Sequence, residues 1–185
     1  MDEAGQRDAL YAFLADTLGL TVEEISQRRT QKHAASPTVE EWKSNLDMSS
    51  FMSPSPLLCK NLFLKDTKKD SVWLVVAQVD TEIRLSNLSK HLSLRTLRFA
   101  KEELLTSLLG VSQGSVTPLA LWKDREHKHV NVIIDRNLMP ESSECTTLLV
   151  HPLSNEYTTE LTVTEFKKFL DACGHSYSVL DFSTI

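Results

Sequence analysis

The spacing of apolar side chains changes several times along this chain. Between residues 7 and 18, Leu10, Phe13, Leu14 and Leu18 recur at the helical period and Gly19 follows where a left-handed C-cap is wanted, so the pattern predicts a helix. Thr21 and Glu24 have the spacing of a capping box, yet the segment to Ser36 stays open between helix and extended chain. Pro37 to Leu46 reads as a short helix, capped by Thr38 with Glu41 three residues on, that turns Trp42 and Leu46 inward. The proline- and serine-rich run from Met48 to Leu58 reads as a loop. From Cys59 the pattern is that of strands: Cys59 to Lys65, a charged turn at Asp66 to Asp70, then Val72 to Val79. That last run is almost continuously apolar, which predicts a central strand, paired antiparallel with the one before it.

Leu85, Leu88 and Leu92 give a short helical or irregular piece, and Leu97 to Phe99 a brief strand. Leu104, Leu105, Leu108 and Leu109 then share one side of a clear helix, with Glu102 and Glu103 at its positive end and Gly110 to stop it. After a loop, Leu119 to Trp122 reads as a strand, Lys123 to Lys128 as a hairpin turn, and His129 to Asp135 as a strand with Val130, Val132 and Ile134 on one face. Cys145 to Val150 and Tyr157 to Leu161 add two strands. Thr162 and Glu165 open a helix whose Phe166, Phe169, Leu170 and Cys173 form a buried stripe, and Tyr177 to Phe182 closes the chain as a strand. About seven strands, interrupted irregularly by helices, predict an α+β fold with a mixed sheet in one domain.

Composition narrows the class. At 185 residues, 41% hydrophobic and 24% charged, the chain suits one globular domain. No apolar run is long enough to span a bilayer and the first residues are acidic, so a cytoplasmic protein with no membrane partner is expected. Cys59, Cys145 and Cys173 form no C-x-x-C pair, which argues for free thiols over a disulfide frame or zinc knuckle. The net charge of −5 is uneven: nine acidic and five basic side chains stand in the first 50 residues, leaving the rest almost neutral. Lys68, Lys69, Lys90, Arg95, Arg98 and Lys101 are then either a solvated face or a nucleic-acid contact.

Three places hold residues with chemistry. Lys60 and Asn61 set a cation and an amide on a strand continued by Leu62, Phe63 and Leu64, where packing would lock their rotamers. Gly114, Ser115, Val116, Thr117 and Pro118 form a loop in which glycine permits positive φ and close backbone approach. His151 ends a strand just before Pro152, with Asn155 in the following turn. Each has a plain structural reading too: a surface lysine, an ordinary turn, a hydrogen-bonding histidine. A Cys59–His151 nucleophile pair lacks a marked orienting residue, and a His127-x-His129 metal site lacks a further ligand.

Taken in order, Lys60 to Leu64, Gly110 to Pro118, His151 to Asn155, and Phe169-Leu170 with Gly174-His175 resemble the editing domains associated with prolyl-tRNA synthetase: the bacterial insertion domain, its free-standing relatives that deacylate alanyl-tRNA(Pro), and the YbaK-type cysteinyl-tRNA(Pro) deacylases. The resemblance covers residues 59–182 and leaves residues 1–58 as a divergent N-terminal part. It implies a mixed, mostly antiparallel sheet flanked by helices, and hydrolysis of a mischarged tRNA(Pro) ester, alanine foremost, with no metal or cofactor. It further implies that Lys60 anchors the substrate's phosphate or ester end, that Asn61 meets its carbonyl or amino group, and that the Gly114–Pro118 backbone cradles it. His151 would orient it or move a proton with Asn155 in support, and Val150 would narrow the pocket. The partners implied are the tRNA(Pro) acceptor end and prolyl-tRNA synthetase or a multi-synthetase complex. A non-catalytic synthetase-docking module that uses residues 1–58 is the other reading of the same resemblance.

Overall fold

The computed structural model describes residues 2–140 and 146–185. Among them eight strands occur: β1 (Thr30–Lys32), β2 (Leu57–Asp66), β3 (Val72–Gln78), β4 (Leu97–Phe99), β5 (Val130–Asp135), β6 (Thr147–Val150), β7 (Tyr157–Thr162) and β8 (Tyr177–Leu180). They form one mixed sheet in the order β1-β7-β6-β2-β3-β5-β8, with β4 added to β2. Antiparallel pairs are β1/β7, β2/β3, β2/β4 and β6/β7, and parallel ones β2/β6, β3/β5 and β5/β8. The fold is therefore α+β with a mixed, mostly antiparallel sheet.

Helices α1 (Glu3–Leu18), α2 (Val39–Asn45), α3 (Leu85–His91), α4 (Glu102–Leu109), α5 (Leu121–Asp124) and α6 (Val163–Cys173) complete the described secondary structure, apart from short 3-10 and π turns. Alternation along the central strands divides the apolar residues between two faces. Val72, Leu74 and Val76 of β3 join Val132 and Ile134 of β5 in a large core with Leu10, Leu14, Leu105, Phe166 and Phe169 from the helices. Val75 and Ile133 point the other way, into a smaller core with Leu64, Leu88, Leu97 and Phe182. Coverage on both faces explains why Val72 to Val79 reads as an almost unbroken apolar run. Residues 1–58 are built into this body, since Leu10 and Leu14 are fully buried in the large core and β1 extends the sheet through β7.

Capping signals in the sequence became caps. Thr38 and Thr162 each accept a hydrogen bond from the N–H three residues on, Glu41 and Glu165 return the bond, and Gly19, Gly110 and Gly174 end helices at φ near +70°. The undecided segment after Thr21 is a π turn over Glu24–Arg28 followed by β1. Two expectations fail. Leu119 to Trp122 is a 3-10 turn running into α5, because the Thr117 hydroxyl caps it and Pro118 fixes φ at its first position. All four residues are buried, so no alternation existed to separate helix from strand. Lys123 to Lys128 accordingly makes no hairpin: β5 pairs in parallel with β3, Val72 opposite Val130. For the strand expected over Cys145 to Val150, Thr147–Val150 is strand and Cys145 lies outside the described residues.

Candidate functional site

A cleft of about 310 Å³ opens where α2, β2, the start of α4 and the loops around Gly114 and His151 meet. Of the residues singled out in the sequence, Lys60, Asn61, Gly114, Val116 and His151 line it. Ser115, Thr117, Pro118, Val150 and Asn155 stand behind that lining, each with a structural partner described below.

Lys60 belongs to the β2 register opposite Ala77, and its ammonium donates to the main-chain carbonyls of Val79 (3.0 Å) and Thr81 (2.5 Å), just past the end of β3. An ammonium has three donors, so two hold the lysine in place and one is left for a ligand. The carbonyl-bearing turn is itself fixed by the buried Asp135, which accepts from Gln78 N (3.2 Å), from the Thr81 hydroxyl and from Asn137 N (3.0 Å). Asp135 thus positions Lys60 through the backbone of residues 78–81.

Asn61, one residue on, faces the large-core side with Cys59 and Phe63. Its amide Nδ2 donates to Val116 O at 3.0 Å, tying the strand to the loop, while its Oδ1 is buried with no hydrogen-bond partner among the described residues. Gly114 is at φ +87°, and a Cβ there would lie 3.4 Å from both Asn155 Nδ2 and Pro37 Cβ. Those are ordinary van der Waals distances, so it is the positive φ, and not space, that calls for glycine. Ser115 is buried and its hydroxyl accepts from Asn155 N at 3.2 Å; Thr117 and Pro118 build the buried turn that leads into α5. Asn155 therefore braces the glycine loop, whereas the partner of His151 is the Tyr157 carbonyl.

His151 Nδ1 lies 2.9 Å from Tyr157 O, and a carbonyl can only accept, so Nδ1 carries the proton and Nε2 keeps its lone pair. The bend that brings Tyr157 back includes Leu153 at φ +67°, an unusual conformation for leucine that is held by its burial. The imidazole packs against Trp42, ring centroids 4.6 Å apart and the planes tilted by 47°, with His33 at 6.3 Å. Burial, and secondarily the neighbouring His33, outweigh the Tyr157 hydrogen bond and lower its pKa to about 4, so the ring is neutral near pH 7. Trp42 is pinned in turn: its Nε1 donates to the Thr158 hydroxyl at 2.7 Å, and His33 Nε2 is 2.8 Å from the same oxygen.

Sequence reasoning left α2 out of the site, although Pro37, Thr38, Val39 and Trp42 form one wall of the cleft. The inward face of Trp42 was visible in the helical spacing; that this face meets His151 depended on the turn between β6 and β7. Cys59 and Phe63 also line the cleft, by strand alternation with Asn61. Burial, with the Asp135 charge adding to it, pushes the Cys59 thiol up to about 12, so it is a wall and no thiolate nucleophile. Val150 is buried among Leu148, Leu161 and other core residues, away from the cleft lining. His175, from the Gly174-His175 pair, is buried with Nε2 3.1 Å from Asp124 Oδ2, which ties the end of α6 to the start of β5.

The sequence model of the aminoacyl-tRNA editing domain matches residues 33–169. A prolyl-tRNA synthetase associated domain-containing protein 1 from Danio rerio is 40% identical over 128 residues, 69% of this chain and 67% of that protein. The prolyl-tRNA editing protein ProX of Acetoanaerobium sticklandii is 33% identical over 124 residues, 67% of this chain and 73% of that protein. A crystal structure provisionally assigned as a trans-editing enzyme for prolyl tRNA synthetase superposes with a TM-score of 0.60 at 15% identity, covering 95% of this chain and 96% of that one, a likeness of fold.

Proposed function

Because this chain belongs to the aminoacyl-tRNA editing domain family, we propose that it is a trans-acting deacylase that hydrolyses the ester between a small wrong amino acid, alanine foremost, and tRNA(Pro). The observation that carries the reading is the convergence of Lys60, Asn61, Gly114, Val116 and His151, from three separate stretches of chain, on one cleft.

An aminoacyl ester is already reactive, so placing water and stabilising the developing oxyanion is sufficient. In this reading the third donor of Lys60 takes a phosphate or ester oxygen of the substrate, and the Gly114–Val116 backbone receives the carbonyl oxygen. The bare Nε2 of His151 accepts a hydrogen bond from the attacking water or the ribose hydroxyl. Water adds to the carbonyl carbon, the ester C–O bond breaks, and the proton ends on the departing ribose oxygen, giving a free amino acid and uncharged tRNA. A histidine titrating near 4 is a weak base, so its work is to orient; with Cys59 neutral, water is the nucleophile. Selectivity against proline is steric: the cleft walls Cys59, Phe63 and Trp42 are buried and cannot retreat from a larger ring without opening the core.

Incubation with alanyl-, cysteinyl- and prolyl-tRNA(Pro) tests this directly. Alanyl-tRNA(Pro) is expected to lose its amino acid fastest and prolyl-tRNA(Pro) to stay charged; equal hydrolysis of all three, or of none, overturns it.

A further inference from the structure

We propose that the surface next to the cleft, centred on Phe99, is the platform for the single-stranded 3′ end of the RNA acceptor strand. This rests on the reading that a charged tRNA delivers its ester to the cleft.

Phe99 is 67% exposed, more than any other large hydrophobic side chain described. It sits on the three-residue strand β4, at the edge of the sheet, opposite Leu64 of β2. Its ring contributes little to either core. Phe99 and Ala100 line the cleft, and they also line a second groove of about 630 Å³ on its far side. A polymer whose last residue occupies the cleft therefore runs over this ring on leaving it.

The charges around it fit a phosphate chain. The β2–β3 turn and β4 are held together by Thr67 N donating to Thr96 O and by the Lys65–Arg98 register pair. Residues 65–70 and 95–101 together contain six Lys or Arg against two Asp, in a chain of net charge −5. Both aspartates are engaged: Asp66 accepts from Lys69 N (2.8 Å) and Thr96 N (3.3 Å), and Asp70 pairs with Lys65 at 2.7 Å. Lys68, Lys69, Arg95, Arg98 and Lys101 are exposed and form no ion pair among the described residues. Glu103 on the groove wall and Glu102 on the adjoining cleft wall are the opposing charges. An exposed aromatic ring beside unpaired cations is how proteins take single-stranded nucleic acid without reading its sequence: a base stacks on the ring and the cations follow the backbone. An acidic peptide would use the cations but has no base for the ring.

The test is equilibrium binding of uncharged tRNA(Pro), intact or trimmed of its single-stranded 3′ end, to the full chain. Phe99→Ala is expected to weaken binding of the intact RNA about tenfold or more, Phe99→Trp to preserve it, and the trimmed RNA to show no difference between them. Arg98→Ala with Lys101→Ala should lower the slope of log affinity against log salt by about 1.4. Unchanged binding by Phe99→Ala, an equal loss with trimmed RNA, or no binding by the wild type overturns the inference, as does a polyglutamate peptide that competes fully with the RNA. Hydrolysis is scored separately. A wild type that deacylates while Phe99→Ala binds normally sinks the platform alone; a wild type that binds through Phe99 but hydrolyses nothing sinks the deacylase reading alone.

Discussion

The neutral, buried imidazole of His151 ties the candidate site to stability through pH. An unfolded histidine titrates near 6.5 and the folded one at about 4, because burial disfavours its charged form. Between those values the unfolded chain binds the extra proton, so stability is full above 6.5 and falls as pH drops toward 4. The whole gap corresponds to about 3 kcal/mol, and the part lost between pH 7 and pH 5 to about 2 kcal/mol. Other groups titrate over the same range, so the informative quantity is a difference. Urea unfolding of the wild type and of His151→Gln, each at pH 7 and pH 5, isolates it. The wild type should lose about 2 kcal/mol more than the variant over that interval. The same pKa predicts that deacylation, as far as it depends on this ring, stays level from pH 8 to pH 5 and falls only below. Equal pH dependence of stability in the two proteins would refute the claim that His151 is held neutral by burial.

Lys60→Ala should reduce deacylation of alanyl-tRNA(Pro) at least about 100-fold, the scale of losing one preorganised donor to charge that develops in the transition state, while circular dichroism reports an intact fold. Asp135→Asn removes the charge that holds the Thr81 turn; urea unfolding should show a loss of about 1–2 kcal/mol, and kcat should fall because the Lys60 ammonium is no longer fixed. Wild-type kcat in that variant would separate Asp135 from the site. Gly114→Ala puts a side chain at φ +87°, so an unfolding free energy lower by about 1–2 kcal/mol is expected, with activity reduced further than stability alone explains.

Much of the local structure was determined by the sequence alone. Thr38, Thr162, Gly19 and Gly110 ended helices where their spacing said, because a cap depends only on residues within four positions. The α+β class and the antiparallel pairing of β2 with β3 followed from periods and a short turn. The segment Leu119 to Trp122 escaped because it is buried on every side, which erases the period that tells helix from strand. The tertiary structure alone decided the neighbours. Nothing local says that β3 and β5 pair in parallel, that the carbonyls of Val79 and Thr81 hold Lys60, or that Trp42 packs on His151. These are contacts between residues far apart in the chain, fixed by sheet order, and a pattern read along one dimension carries the faces of elements but not which faces meet.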